Sequence, residues 1–133
     1  LGLYLSTMLQ LLDIVIGVTH VLLIIACLIG WIFPRTRKTH LILMGIVVGC
    51  WFLLGLQYGI GYCPLTDWHW QVKQKLGEGA LPNSFIKYLW DHIFTTPISP
   101  VAADILTFGA FFISLILALY LKWAGKAKLA NGP

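Results

Sequence analysis

Three long apolar stretches, about 11–33, 41–60 and 101–121, occupy roughly half of a chain of 133 residues. A hydrocarbon layer about 30 Å thick needs about 20 such residues in a helix, and each stretch comes close to that length. With only 11% of residues charged, a soluble bundle would have too little polar surface to cover helices that are apolar all round. The expected fold is therefore an all-α integral membrane protein with three transmembrane helices, forming a single membrane domain over 1–133. No basic segment precedes the first run and no small-residue cleavage pattern closes it, so it reads as a retained span.

The basic residues orient the chain. Arg35, Arg37 and Lys38 crowd the first connection, and Lys122, Lys126 and Lys128 follow the third span. Three crossings put both groups on one side, which the positive-inside rule makes cytoplasmic. The N-terminus is then outside and the C-terminus cytoplasmic. In the long connection, about 62–99, Lys73, Lys75 and Lys87 are balanced by Asp67, Glu78 and Asp91. The formal charge of +4 is mostly this orientation signal, and no basic-aromatic module supports nucleic acid as a partner. Aromatic residues mark the same two levels, Trp31 and Trp123 inside, and Tyr58, Tyr62, Trp68, Trp70, Tyr88 and Trp90 outside. Helix starting near Leu3 would make the first element about 46 Å long at 1.5 Å per residue, long enough to tilt or project outwards.

Two short interfacial helices are expected in the outer connection, lying against the outer surface of the bundle or in the headgroup layer. Thr66 reads as an N-cap opening the first, which Gly77 ends. The second begins near Ser84 and carries Phe85, Ile86, Leu89, Trp90 and Ile93 at helical spacing. Ser99 and Pro100 then restart the chain as cap and first helical residue. Small-residue rows predict close helix contacts: Gly45/Gly49 and Gly55/Gly59 on the second span, and Ala110, Ser114 and Ala118 on the third. They serve packing within the bundle or contact with another subunit.

Ionisable groups inside a span are the default site candidates. His20 lies near the middle of the first span, with Asp13 two turns above it on the same face. With Gln57 and Asp104, and His69 or His92 as a further member, they form a candidate polar cavity open to the outside, in which His20 would exchange protons. A plain interhelical hydrogen bond also accounts for His20, a solvated carboxylate for Asp13, and a helix N-terminus for Asp104. His40, beside Thr39 as a plausible cap, is expected at the headgroups. His20 and His40 lie about 20 Å apart along the bundle axis, so one haem cannot use both unless another subunit supplies a ligand. Cys27 and Cys50 read as buried small apolar residues. Cys63, His69 and His92 are the outer-face candidates, but their spacing matches no zinc pattern. No metal and no cofactor are expected.

Taken together, the central His20, the Arg35–Leu41 stretch with its Thr-His-Leu, Cys63-Pro64-Leu65-Thr66 and Ser84-Phe85-Ile86 resemble an uncharacterised family of small bacterial inner-membrane proteins, a domain of unknown function. The resemblance covers most of 13–121 and implies a membrane fold and a bacterial inner (cytoplasmic) membrane, without a reaction. In that family the fourth residue of the Thr-led turn is typically Glu, where this chain has His69. The exchange removes a capping-box acceptor, leaving either a weaker cap or a different task for His69.

Two functions meet these residues. The favoured one is a small accessory or structural subunit that packs against a larger membrane complex through its small-residue rows and outer helices, with no enzymatic motif in view. The alternative is a site-bearing protein that handles a lipid, quinone or proton around Asp13 and His20.

Overall fold

The computed structural model describes residues 2–130, with side chains through residue 125. Among these residues there are five helices and no strand. Helix α1 is Gly2–Ile29, α2 Arg37–Tyr58, α3 Pro64–Lys75, α4 Phe85–Ile93 and α5 Pro100–Ala130. Three of them, α1, α2 and α5, are long and apolar enough to cross a membrane.

The first connection is tighter than the apolar run suggests. Helix α1 stops at Ile29 and not near 33, because the chain from Gly30 to Arg37 folds back to satisfy its last carbonyls, which have no intrahelical partner. Gly30 N–H and His40 Nδ1–H both donate to Ala26 C=O, at 3.0 and 3.1 Å. Thr36 Oγ1 donates to Gly30 C=O and Arg37 Nε to Trp31 C=O. Only glycine fits at position 30, since a Cβ there would fall 2.5 Å from Ala26 O and 2.7 Å from His40 Nδ1. His40 is consequently buried against α1, a correction to its expected headgroup position. Thr36, and not Thr39, precedes α2.

Helix α2 changes pitch midway. Cys50–Leu54 form a π-helical segment, a wider turn that loosens the i→i−4 ladder. Past Tyr58 the chain reverses through Gly59 and Gly61, whose φ angles of +106° and +86° suit glycine. It then runs back beside α2. Gly61 N–H donates to Trp51 C=O at 3.2 Å, and Ile60 Cα lies 3.2 Å from where a Cβ on Gly55 would be. Gly55 thus lets the returning chain pass, and Gly59 ends the helix, so this pair serves the reversal and no helix-helix seam.

That return packs α3 on the flank of α1. Helix α3 starts one turn earlier than expected, with Cys63 at the N-cap position and Pro64 at the first helical position. Thr66 is buried inside the helix and does not cap it. The buried residues Thr66, His69, Val72 and Lys73 form one stripe, at the 3–4 residue spacing of a helix face. Gly77 follows the end with φ +90°. Helix α4 begins after Ser84, whose Oγ accepts from Lys87 N–H. It is tied to the start of α5 by Asp91, which accepts from Ile98 N–H at 2.9 Å and pairs with Lys87 at 2.6 Å. Those bonds, Lys87 first, hold the Asp91 carboxyl below the usual carboxylate range.

The main core lies between α1, α2 and α5. Cys27, Met44, Trp51 and Phe111 are buried together, and Ser114 Oγ–H donates to Cys27 C=O at 2.6 Å. Cys27 sits in the last turn of α1, nearer the basic turn than mid-span. In the third-span row, Ser114 and Ala118 are buried and Ala110 is half-buried. Gly45 and Gly49 differ, because a Cβ on either would meet nothing within 4 Å.

Candidate functional site

Helix spacing on α1 places Asp13 and Gly17 one turn apart, and α3 presents His69 and Lys73 to them. Asp13 Oδ1 accepts from His69 Nε2–H at 2.7 Å; a carboxylate only accepts, so Nε2 carries the proton in this bond. Lys73 Nζ reaches the same carboxylate at 3.1 and 3.3 Å and Glu78 Oε1 at 3.0 Å. The Lys73 ammonium also lies 4.9 Å from the centre of the Tyr88 ring, within range of a cation-π contact. His69 and Lys73 are almost completely buried, while the Asp13 side chain keeps 23% of its surface open. Gly17 makes the approach possible. Its missing Cβ would stand 3.3 Å from the His69 ring.

Burial by itself draws the Lys73 ammonium down, but its contacts with Tyr88, Glu78 and Asp13 outweigh that and hold it above the usual lysine range. A buried cation needs such partners, because the charge would otherwise cost several kcal/mol to desolvate. The other ring nitrogen, His69 Nδ1, is buried with no hydrogen-bond partner. Unpaired buried acceptors are uncommon in folded proteins.

Below the cluster, Phe85 of α4 joins the two halves of the site. It stacks on His20 with centroids 4.0 Å apart and planes 14° apart, and its centroid is 5.7 Å from that of His69. His20 is 5% exposed. Its Nε2 faces Cys63 Sγ at 4.0 Å, and its Nδ1 has no partner. Between α1, α3 and α4 lies an open groove of about 380 Å³. Asp13, His69 and Lys73 stand on one edge, and Val18, Val21, Leu22, Phe85 and Leu89 supply an apolar wall.

The structure brings Asp13 and His69 together and leaves Gln57 and Asp104 apart from them. Asp13 is joined to α3, and His20 to Cys63 and Phe85. Gln57 and Asp104 are both exposed and do not belong to the groove lining. Cys63, His69 and His92 do not converge either. Cys63 meets His20, His69 meets Asp13, and His92 is exposed and donates to Tyr88 C=O on its own helix. No group of three metal-ligating side chains occurs among the described residues. The different task for His69 is its bond to Asp13.

Sequence reasoning does not single out Lys73, Glu78, Gly17 or Phe85 as site residues. Lys73 is legible there only as a loop charge cancelled by a neighbour, although its i,i+4 spacing from His69 is a signal for one polar helix face.

Comparisons with curated proteins and with solved structures gave no match. A family model described as "Protein of Unknown function (DUF2784)" matches residues 10–123, a stretch that contains Asp13, His20, Cys63, His69 and Lys73. The match takes in most of the chain, which therefore belongs to the DUF2784 family.

Proposed function

We propose that this chain is a multi-pass protein of a bacterial inner membrane that binds an apolar-tailed molecule of the lipid or quinone class in the α1/α3/α4 groove. The tail lies along Val18, Val21 and Leu22, and the polar head meets Asp13, His69 and Lys73. The observation that carries this reading is the cluster of buried His69 and Lys73 with half-buried Asp13, backed by exposed Glu78, beside an apolar groove. Intramembrane or near-membrane ionisable groups cost free energy to keep, which favours a functional use. Their pairing also lets the site hold charge without leaving it unpartnered.

The membrane setting is supported by helices whose outward faces are covered with apolar side chains: only 11% of the most apolar window of α1 is buried. An exterior of Leu3, Met8, Val15 and Leu22 needs an apolar solvent. Arg35, Arg37, Lys38 and Lys122 gather at the end opposite α3 and α4, which supports an N-terminus outside and a cytoplasmic C-terminus. In a variant without native cysteines, Gly79→Cys would be labelled by an impermeant maleimide from the outside. Protection of that position until the membrane is opened would reverse the orientation.

Extraction and mass spectrometry of protein purified in mild detergent test the binding. The wild type should retain lipid or quinone at fixed stoichiometry, and Val18→Trp, which fills the apolar wall, should lose it while still inserting. Equal retention by both proteins, or none by either, would defeat the reading.

A second reading rests on Gly45 and Gly49. Their unfilled face on α2 supports contact with a helix of another subunit, so that the chain also acts as an accessory component of a larger complex. Partners that copurify at constant ratio and are lost on Gly45→Leu would support it, whereas a monodisperse lone chain would oppose it.

A further inference from the structure

We infer that Cys63 and His20 form a nucleophile and general-base pair that accepts an acyl group from a membrane-borne acyl thioester. Three features separate this cysteine from Cys27 and Cys50. First, the chain reversal after α2 brings its Sγ to 4.0 Å from Nε2 of a histidine that is 5% exposed. The Phe85 stack holds that ring in place. Because His20 Nδ1 bonds to nothing, no protein group fixes its tautomer, and Nε2 is free to take the thiol proton.

Second, Cys63 stands at the N-terminus of the twelve-residue α3 and makes no side-chain cap bond. Pro64 has no N–H, and the amides of Leu65 and Thr66 find no acceptor among the described residues. Two unpaired amides at a helix start, next to a nucleophile, are the donors that a tetrahedral oxyanion needs. Third, Cys63 is only half-buried, and Phe85, which stacks on His20, also lines the apolar groove with Val21 and Leu89, where an acyl chain can lie. The Asp13 cluster plays no part in this site.

The step balances without an added redox partner. Cys63 Sγ attacks the thioester carbonyl as its proton passes to His20 Nε2, and the oxyanion forms against the Leu65 and Thr66 amides. Collapse breaks the donor's carbon-sulfur bond, and the departing thiolate recovers the proton from His20. One thioester replaces another, so the exchange is close to thermoneutral.

The test uses the full chain in nanodiscs with the lauroyl thioester of N-acetylcysteamine as probe. One lauroyl group should appear on the intact mass, map to Cys63 and leave with hydroxylamine, while Cys50, of similar exposure, stays free. Cys63→Ser should abolish it, and His20→Gln should slow it on the order of a hundredfold. Should His20→Gln fail to fold, the wild type still decides: a slower rate in D2O than in H2O is expected of general-base attack. Equal acylation of Cys50 and Cys63, an unchanged rate in folded His20→Gln, or equal rates in the two solvents would overturn the pair.

Discussion

The two ends of the bundle are held by opposite kinds of interaction. Near the basic turn, α1, α2 and α5 close on Cys27, Met44 and Phe111, and the polar groups there, His40 and Ser114, donate to backbone carbonyls of α1. At the other end the contact of α3 with α1 runs through carboxylates, an ammonium and an imidazole. Apolar packing tolerates graded loss, because a smaller side chain leaves a cavity and little else. A buried charge network does not, since removing one member strands the others. Chemistry is accordingly expected where loss is abrupt.

The sharpest way to break this contrast is Asp13→Ala, which leaves buried Lys73 with Glu78 as its one carboxylate and His69 Nε2–H with no acceptor. We expect a loss of about 3–5 kcal/mol, read as a fall in the denaturation midpoint in detergent; a change near zero would mean that water already solvates the cluster. Met44→Ala at the opposite end, where the side chain is completely buried, should cost about 2–4 kcal/mol. Its cost should not vary with salt, whereas that of Asp13→Ala should. Ser114→Ala removes one hydrogen bond to an α1 carbonyl and should cost about 1 kcal/mol.

Alkaline titration separates the ends without mutation. The Lys73 ammonium is held above its ordinary value of 10.5, so its contribution is complete below that pH and is lost as pH rises through the folded value. Unfolding curves should thus soften in strong alkali for the wild type, and the softening should shrink in Lys73→Met. The smallest effect is expected at Gly45→Ala: its added methyl meets open space, so the lone chain should keep its midpoint or gain slightly from helix propensity.

Legibility in the sequence divides along the same line. The long helices are readable because each is specified by a local pattern, an apolar run closed by charges, and the caps at Ser84 and Ser99 are readable for the same reason. The end of α1 is not, since the apolar run continues through Trp31 and Phe33 and hides a turn that depends on His40 and Arg37 reaching back. The Asp13–His69 and Asp13–Lys73 pairs span 56 and 60 residues. No local spacing encodes such pairs; they require the reversal at Gly59 and Gly61, which brings the outer connection onto the flank of α1. Chemical type is enough to single out Asp13, His20, Cys63 and His69, but it does not pair Cys63 with His20 or bring Lys73 to Asp13.

The wider turn at Cys50–Leu54 makes the span a length-sensitive joint. It places three outward residues, Phe52, Leu53 and Leu54, between the inward Trp51 and Gly55. Adding one more residue there, which the wide turn cannot absorb, would swing everything beyond by about 100°. Trp51 would stay in its socket while Gly55 and the hairpin behind it pointed elsewhere, so an insertion that leaves overall hydrophobicity untouched would disassemble both sites at once.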